Sequence, residues 1–139
     1  VTLVFLNTVF NGNQPPGKDR ATDQMMASMF PGTNLNFNEE VLAKIQRYSE
    51  VSQVVTLVDL NRPAILTDIK ASSSALAGTF GVSDNAMLDI VFGRYAPQGK
   101  LPFELPSSMA EVEVQFEDVP DDTVNPLFPF GWGLTYPEG

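Results

Sequence analysis

Few side chains in this sequence have the chemistry and the company to act on a small molecule. Asn11, Asn13, Asp19 and Arg20 lie close together after the first apolar run. A carboxylate beside a guanidinium suits sugar hydroxyls, and asparagine amides supply both donors and acceptors. The competing reading is an exposed ion pair of little energetic value. Position favours binding, because ligands of open α/β sheets sit at the carboxyl ends of strands. Asn11, Asp19 and Arg20 are therefore taken as candidate binding residues. Trp132, among Phe128, Phe130 and Tyr136, offers a face for stacking on a sugar ring, although aromatics at this density also fill cores.

Other patterns are weaker. Gly81-Val82-Ser83-Asp84 falls between a strand-like and a helix-like stretch, as a nucleophile elbow does, but the fifth residue is Asn85 rather than Gly. The sequence has no His to activate a serine, so Ser83 reads as a helix cap. Gly131-Trp132-Gly133 begins like a dinucleotide fingerprint, yet no helix pattern follows and Tyr136 occupies the third glycine position. The acidic stretch from Glu117 to Asp122 lacks the ligand spacing of a calcium loop.

The absence of both His and Cys removes histidine bases, thiolate nucleophiles and the usual zinc sets. Acid–base work would have to rest on carboxylates. No catalytic residue, metal ligand or cofactor is assigned. A net charge of −9 repels nucleic-acid backbones and anionic membranes, so neither is expected as a partner. No apolar run approaches the roughly 18 residues of a membrane span.

These residues need a frame, and apolar periodicity supplies one. With 43% hydrophobic residues, the 139-residue chain can bury one core. Val1–Asn7, Ser52–Leu60 and Ala75–Phe80 are short apolar runs of the kind found in buried parallel strands. Asn38 is a good N-cap for a helix whose Val41, Leu42, Ile45 and Tyr48 share one face. A Met-rich helix is expected over Thr22–Phe30, one or two turns over Ala64–Lys70, and a helix after Ser83 that stops at Gly93. Leu101–Leu105 reads as a last strand, placed at an edge by Pro102. Alternating strands and helices imply a mostly parallel sheet covered on both faces. Residues 107–139 form a tail with a short helix over Ser107–Val114 and an extended aromatic end.

Two stretches carry a more specific likeness. LDIVFGRYAPQGKLPFELP at Leu88–Pro106 and PLFPFGWGLTY at Pro126–Tyr136 resemble the C-terminal domain of glycoside hydrolase family 3, the β-glucosidase and β-xylosidase family. The resemblance runs from about Val41 to Tyr136, with VVTLVDLNRP fitting the strand and turn before the third strand. It implies a three-layer αβα sandwich covering residues 1–139 in part, packed on a separate N-terminal barrel that carries an aspartate nucleophile. It also implies retaining hydrolysis of β-linked glucosides or xylosides by two carboxylates about 5 Å apart, with no cofactor.

The sequence departs from that pattern. No barrel or nucleophile segment is present, and the family's opening strand and helix have no counterpart. Asp19 and Arg20 match the family's Gly-x-Asp-Arg, but Asn11 or Asn13 stands near the position of its acid/base glutamate and cannot donate a proton as a general acid. The chain alone is thus expected to be inactive, as part of a larger β-glucosidase-like hydrolase. The alternative is a sugar-binding or interaction module with the same fold. Val1 lies inside a strand and is not Met, which suggests a piece of a longer protein. An uncovered strand edge would favour a homo-oligomer.

Overall fold

A computed structural model of the chain describes residues 1–8, 35–116 and 118–136. The expected helix at Thr22–Phe30 lies outside them. Three strands, β1 (Thr2–Asn7), β2 (Val54–Asp59) and β3 (Ala75–Thr79), form one sheet in the order β1-β2-β3. Both pairings are parallel, with Thr2 opposite Val54 and Val55 opposite Ala75. The helices are α1 (Glu39–Val51), α2 (Thr67–Ala71), α3 (Asp84–Val91) and α4 (Met109–Glu113). The expected α/β fold with a parallel sheet is the observed one.

Local chemistry sets the helix boundaries. The Asn38 side chain accepts a hydrogen bond from the Val41 amide at 2.9 Å, and Glu39 and Glu40 place negative charge at the positive end of α1. Ile45 is buried on the inner face of α1, with Val41, Leu42 and Tyr48 half-buried beside it. Ser83 caps α3 by accepting from the Ala86 amide at 3.4 Å, in line with the reading of Ser83 as a cap. After α3 the chain turns at Gly93, whose φ of 70° suits a residue without Cβ.

The core lies on one face of the sheet. Register partners of a parallel pair point the same way, so Val4 and Leu6 join Val54 and Val58 on that face. There they pack with Ile45 of α1, Ile69 of α2, and Leu60, Leu66 and Leu105. Thr56 is fully buried among them and stays satisfied, because its hydroxyl shares a 2.7 Å hydrogen bond with Ser73 Oγ. Leu57 and Ala77 point to the other face, towards α3, across an apolar slot of about 480 Å³.

One expected element is displaced. Residues 101–105 do not join the sheet as a last strand. Their hydrogen-bonding edge is taken by the tail, antiparallel. Leu101 N–H donates to the Trp132 carbonyl (2.8 Å) and Gly131 N–H to the Leu101 carbonyl (2.9 Å). Leu105 N–H donates to the Phe128 carbonyl (2.9 Å) and Leu127 N–H to the Leu105 carbonyl (2.8 Å). Pro102 lacks the N–H that a sheet neighbour on its other side would need. The Tyr136 hydroxyl donates to the Ile90 carbonyl and fastens the tail to the last turn of α3.

Candidate functional site at the carboxyl edge of the sheet

All three strands run the same way, so their carboxyl ends meet along one edge. Asn7, Asp59 and Thr79 are register partners across the sheet and form its last rung. A single hydrogen-bonded row links them. Thr79 Oγ1 donates to Asp59 Oδ1 at 3.2 Å, and Asn61 Nδ2 donates to Asp59 Oδ2 at 3.0 Å and to Asn7 Oδ1 at 2.9 Å. The Gly81 amide, just past β3, donates to Asp59 Oδ1 at 2.8 Å. Gly81 has a φ of 69°, a conformation that costs a glycine little and lets the turn aim its N–H at the carboxylate.

Three donations to one carboxylate have an electrostatic result. The Gly81 amide bond above all, helped by Asn61 and Thr79, holds the Asp59 carboxyl below its ordinary range, against the opposing effect of burial. Asp59 is therefore ionised at neutral pH and acts as an acceptor. It has no proton to give to a leaving group. The edge presents a fixed carboxylate flanked by amides, a set of groups that can hold hydroxyls.

Beneath this rung sits Thr8, 2% exposed. Its N–H and hydroxyl donate to the Asp59 carbonyl at 3.1 and 3.0 Å, and the hydroxyl also reaches the Arg62 carbonyl at 3.1 Å. The hydroxyl accepts from the Arg62 amide at 3.2 Å, and the Thr8 carbonyl accepts from Arg62 Nε at 3.0 Å. The exit of β1 and the turn after β2 are thereby locked together.

Of the residues singled out in the sequence, Asn11, Asp19 and Arg20 lie outside the described residues. Trp132 is 39% exposed and lies in the wall of the apolar slot, its ring 4.7 Å from that of Phe128 and tilted by 52°. Thr79 belongs both to the slot and to the polar rung, so the two features adjoin. The Gly131-Trp132-Gly133 stretch makes a turn, with Gly131 at a φ of 73°, and not a phosphate loop. In the acidic loop, Asp122 Oδ2 accepts from the Phe116 amide at 2.8 Å, a local structural role.

Sequence reading missed Thr8, Asp59, Asn61 and Arg62. The available signal was positional: Asp59 closes an apolar strand and Asn61-Arg62-Pro63 turns directly after it, at the end where such sheets take ligands. Glu104 was also missed. It is 8% exposed, and its Oε1 accepts from the Thr123 amide at 2.8 Å and from Gln115 Nε2 at 3.3 Å. That carboxylate holds the middle of the tail against the body.

Comparison with known proteins gives this edge its context. The family model described as "Glycosyl hydrolase family 3 C-terminal domain" matches residues 1–136. "Probable beta-glucosidase C" of Aspergillus flavus is 49% identical over 111 residues, which are 79% of this chain and 17% of that protein. "Periplasmic beta-glucosidase/beta-xylosidase" of Dickeya chrysanthemi is 44% identical over 101 residues, 73% of this chain and 15% of that protein. "Periplasmic beta-glucosidase" of Salmonella typhimurium is 29% identical over 128 residues, 75% of this chain and 16% of that protein. The chain thus spans only 15–17% of the length of these relatives. A match over nearly every residue, on a parallel sheet closed by a paired aromatic tail, assigns the chain to the C-terminal domain family of glycosyl hydrolase family 3.

Proposed function

We propose that this chain is the C-terminal sandwich domain of a retaining β-glucosidase-like hydrolase acting on terminal β-linked glucosides or xylosides. The observation that carries this reading is the family match over residues 1–136, together with relatives whose names are β-glucosidase or β-xylosidase. In the parent enzyme an N-terminal barrel domain supplies the aspartate nucleophile. The sandwich, covering residues 1–139 in part with 107–139 as its closing tail, walls the sugar site. Asn11, Asp19 and Arg20 contact sugar hydroxyls, and Trp132 stacks on a ring. Asp59 is an acceptor, and the chain has no His. Both facts agree with an inactive isolated domain and a binding role, and the reading invokes no cofactor. A surface of charge −9 favours neither nucleic acid nor anionic membrane as partner. Among the described residues no helix is long and apolar enough to cross a membrane. Edge strands with one neighbour among the described residues support self-association of the isolated chain.

The experiment is a domain exchange. Residues 1–136 replace the matching stretch of the Aspergillus flavus relative, and hydrolysis of an aryl β-glucoside is followed. The expected result is turnover of the activated aryl β-glucoside by the chimera, lowered because Asn11 or Asn13 stands near the acid/base position, and none by the 139-residue chain alone. A chimera that folds, by its circular dichroism and single thermal transition, but is inert would overturn the assignment. Turnover by the isolated chain would refute its incompetence.

A second reading is a binding module with the same fold, favoured by the partly exposed Trp132 in the slot wall. Titration of the isolated chain with glucose, xylose and cello-oligosaccharides, read by the fluorescence of its single tryptophan, separates the two. Saturable quenching supports the module, and an unchanged spectrum at millimolar sugar counts against it.

A further inference from the structure

The polar row at the end of the sheet has an uneven stock of hydrogen-bonding groups. The Thr79 hydroxyl and the Gly81 N–H both donate to Asp59 Oδ1. Asn61 Nδ2 spends its two hydrogens on Asp59 Oδ2 and Asn7 Oδ1. These donors are used up inside the row, but the acceptors are not. An ionised carboxylate offers about four lone-pair sites. Among the described residues Asp59 Oδ2 takes only the hydrogen bond from Asn61, and no donor reaches Asn61 Oδ1.

The carboxylate also fixes which way Asn61 faces. It can only accept, so the amide must turn Nδ2 towards Asp59 and leave Oδ1 over. Nδ2 lies 3.0 Å from Asp59 Oδ2 and belongs to the same amide as Oδ1, so the two spare acceptors are neighbours. Asn61 is exposed and Asp59 half-buried, which puts the pair at the surface. Thr79, Phe80 and Val82, on either side of Gly81, belong to the apolar slot, and Trp132 lies in its wall. Acceptors beside an apolar, partly aromatic wall suit an amphipathic ring, with hydroxyl hydrogens to the one and C–H faces to the other.

We propose that Asp59 Oδ2 and Asn61 Oδ1 form a diol subsite, accepting from two adjacent hydroxyls of a pyranose. This rests on the reading of the sandwich as a wall of the sugar site and adds two residues to those that touch the sugar. The chemistry discriminates between ligands. Two acceptors, one of them charged, turn away phosphates and carboxylates. No group of three or more acidic side chains that could hold a metal ion occurs among the described residues, so a hard cation would have to find most of its ligands elsewhere. A ligand with donors on two adjacent carbons satisfies both oxygens at once.

The test is an NMR titration of the 139-residue chain, read at the Asn61 side-chain amide and the Gly81 N–H. Methyl β-glucoside, trans-cyclohexane-1,2-diol and the monomethyl ether of that diol, which keeps the shape and loses one donor, are each added to tens of millimolar. The glucoside and the diol should shift both signals saturably. The ether should bind about three- to tenfold more weakly, the worth of one hydrogen bond. Asn61→Ala leaves the Gly81 and Thr79 bonds to Asp59 in place and should weaken the diol response at Gly81 by a similar factor. A single thermal transition shows that this variant is folded, and the ligand series on the unaltered chain decides without it. Equal binding of diol and ether, or a glucoside that shifts the Trp132 indole but neither row signal, refutes the diol subsite and leaves the sugar-wall reading standing. Shifts with methylammonium or calcium chloride that the diol does not produce make the row a cation site and refute it as well. A chain silent to all these ligands also refutes the subsite, while the β-glucosidase assignment is decided separately by turnover of the chimera.

Discussion

The Asp59 carboxylate and the Gly81 amide, 2.8 Å apart, join the carboxyl ends of β2 and β3. The turn after β3 therefore does not float above the sheet but is fastened to its central strand. Because the same carboxylate takes hydrogen bonds from Asn61 and Thr79, one side chain sets the geometry of the whole rung.

That role has a pH signature. The Asp59 carboxyl is held below its ordinary range, so its contribution to stability is complete above the unfolded-state pKa. It is lost as the pH falls through the lowered folded-state value. Replacing Asp59 with Ala should cost on the order of 1–3 kcal/mol at pH 7 by the usual worth of hydrogen bonds to a charged group. Urea midpoints of wild type and Asp59→Asn should differ most near neutrality and converge below the ordinary carboxylate range. A gap independent of pH would show that the ionised form is not what stabilises the rung.

Thr8 makes a different prediction, because its partners are backbone groups. Thr8→Val keeps the shape but leaves the Asp59 and Arg62 carbonyls and the Arg62 amide without the hydroxyl. Loss of buried hydrogen bonds of this kind costs about 1–3 kcal/mol. Thr8→Ser, which keeps the oxygen, should lose less than half as much in chemical denaturation. Equal losses for the two variants would assign the effect to the methyl group.

Two glycines separate space from backbone conformation. A Cβ at Gly93 would meet nothing within 4 Å, but φ there is 70°. Gly93→Ala should then cost about 1–2 kcal/mol through conformation alone, and Gly93→Asn less, since Asn tolerates this region. At Gly78 no positive φ is involved, yet a Cβ would stand 2.8 Å from Leu60 Cδ1 in the core. Gly78→Ala should cost about 1–3 kcal/mol by overpacking. Recovery in the double variant Gly78→Ala, Leu60→Val, measured by thermal denaturation, would identify the clash as the cause.

Glu104 is the corresponding test of the tail. Glu104→Ala removes the acceptor that holds the Thr123 amide and Gln115. The stretch around Thr123 should become a preferred site of limited proteolysis, with global stability reduced by about 1–3 kcal/mol. Glu104→Gln keeps an acceptor oxygen and should give an intermediate cleavage rate. Unchanged cleavage in both variants would mean that the tail is held elsewhere.

How much of this could be read in advance depended on the range of the interaction. Helix starts at Asn38 and Ser83 were legible because a cap acts within three residues. The three apolar strands were legible because both faces of a buried parallel strand must be apolar. Residues 101–105 carry the same local signature but pair with the tail, and no local pattern says which edge a strand will use. Asp59 was unremarked for a similar reason. Its significance comes from Gly81 and Thr79, which reach it only once β3 is laid beside β2. Trp132 was visible as an aromatic, but not as the wall of a slot shared with β3.

The order of the strands also dictates an order in time. The chain between β2 and β3 is roughly a third as long as that between β1 and β2, and closing the longer span costs about 1 kcal/mol more in chain entropy. The β2–α2–β3 unit should thus be the early folding nucleus, and β1 the last strand to dock. Amides of β1 should gain protection from hydrogen exchange only after those of β2. Until they do, the threonine that locks the polar rung has no turn to bind, so the rung at the carboxyl edge is the last part of the sheet to exist.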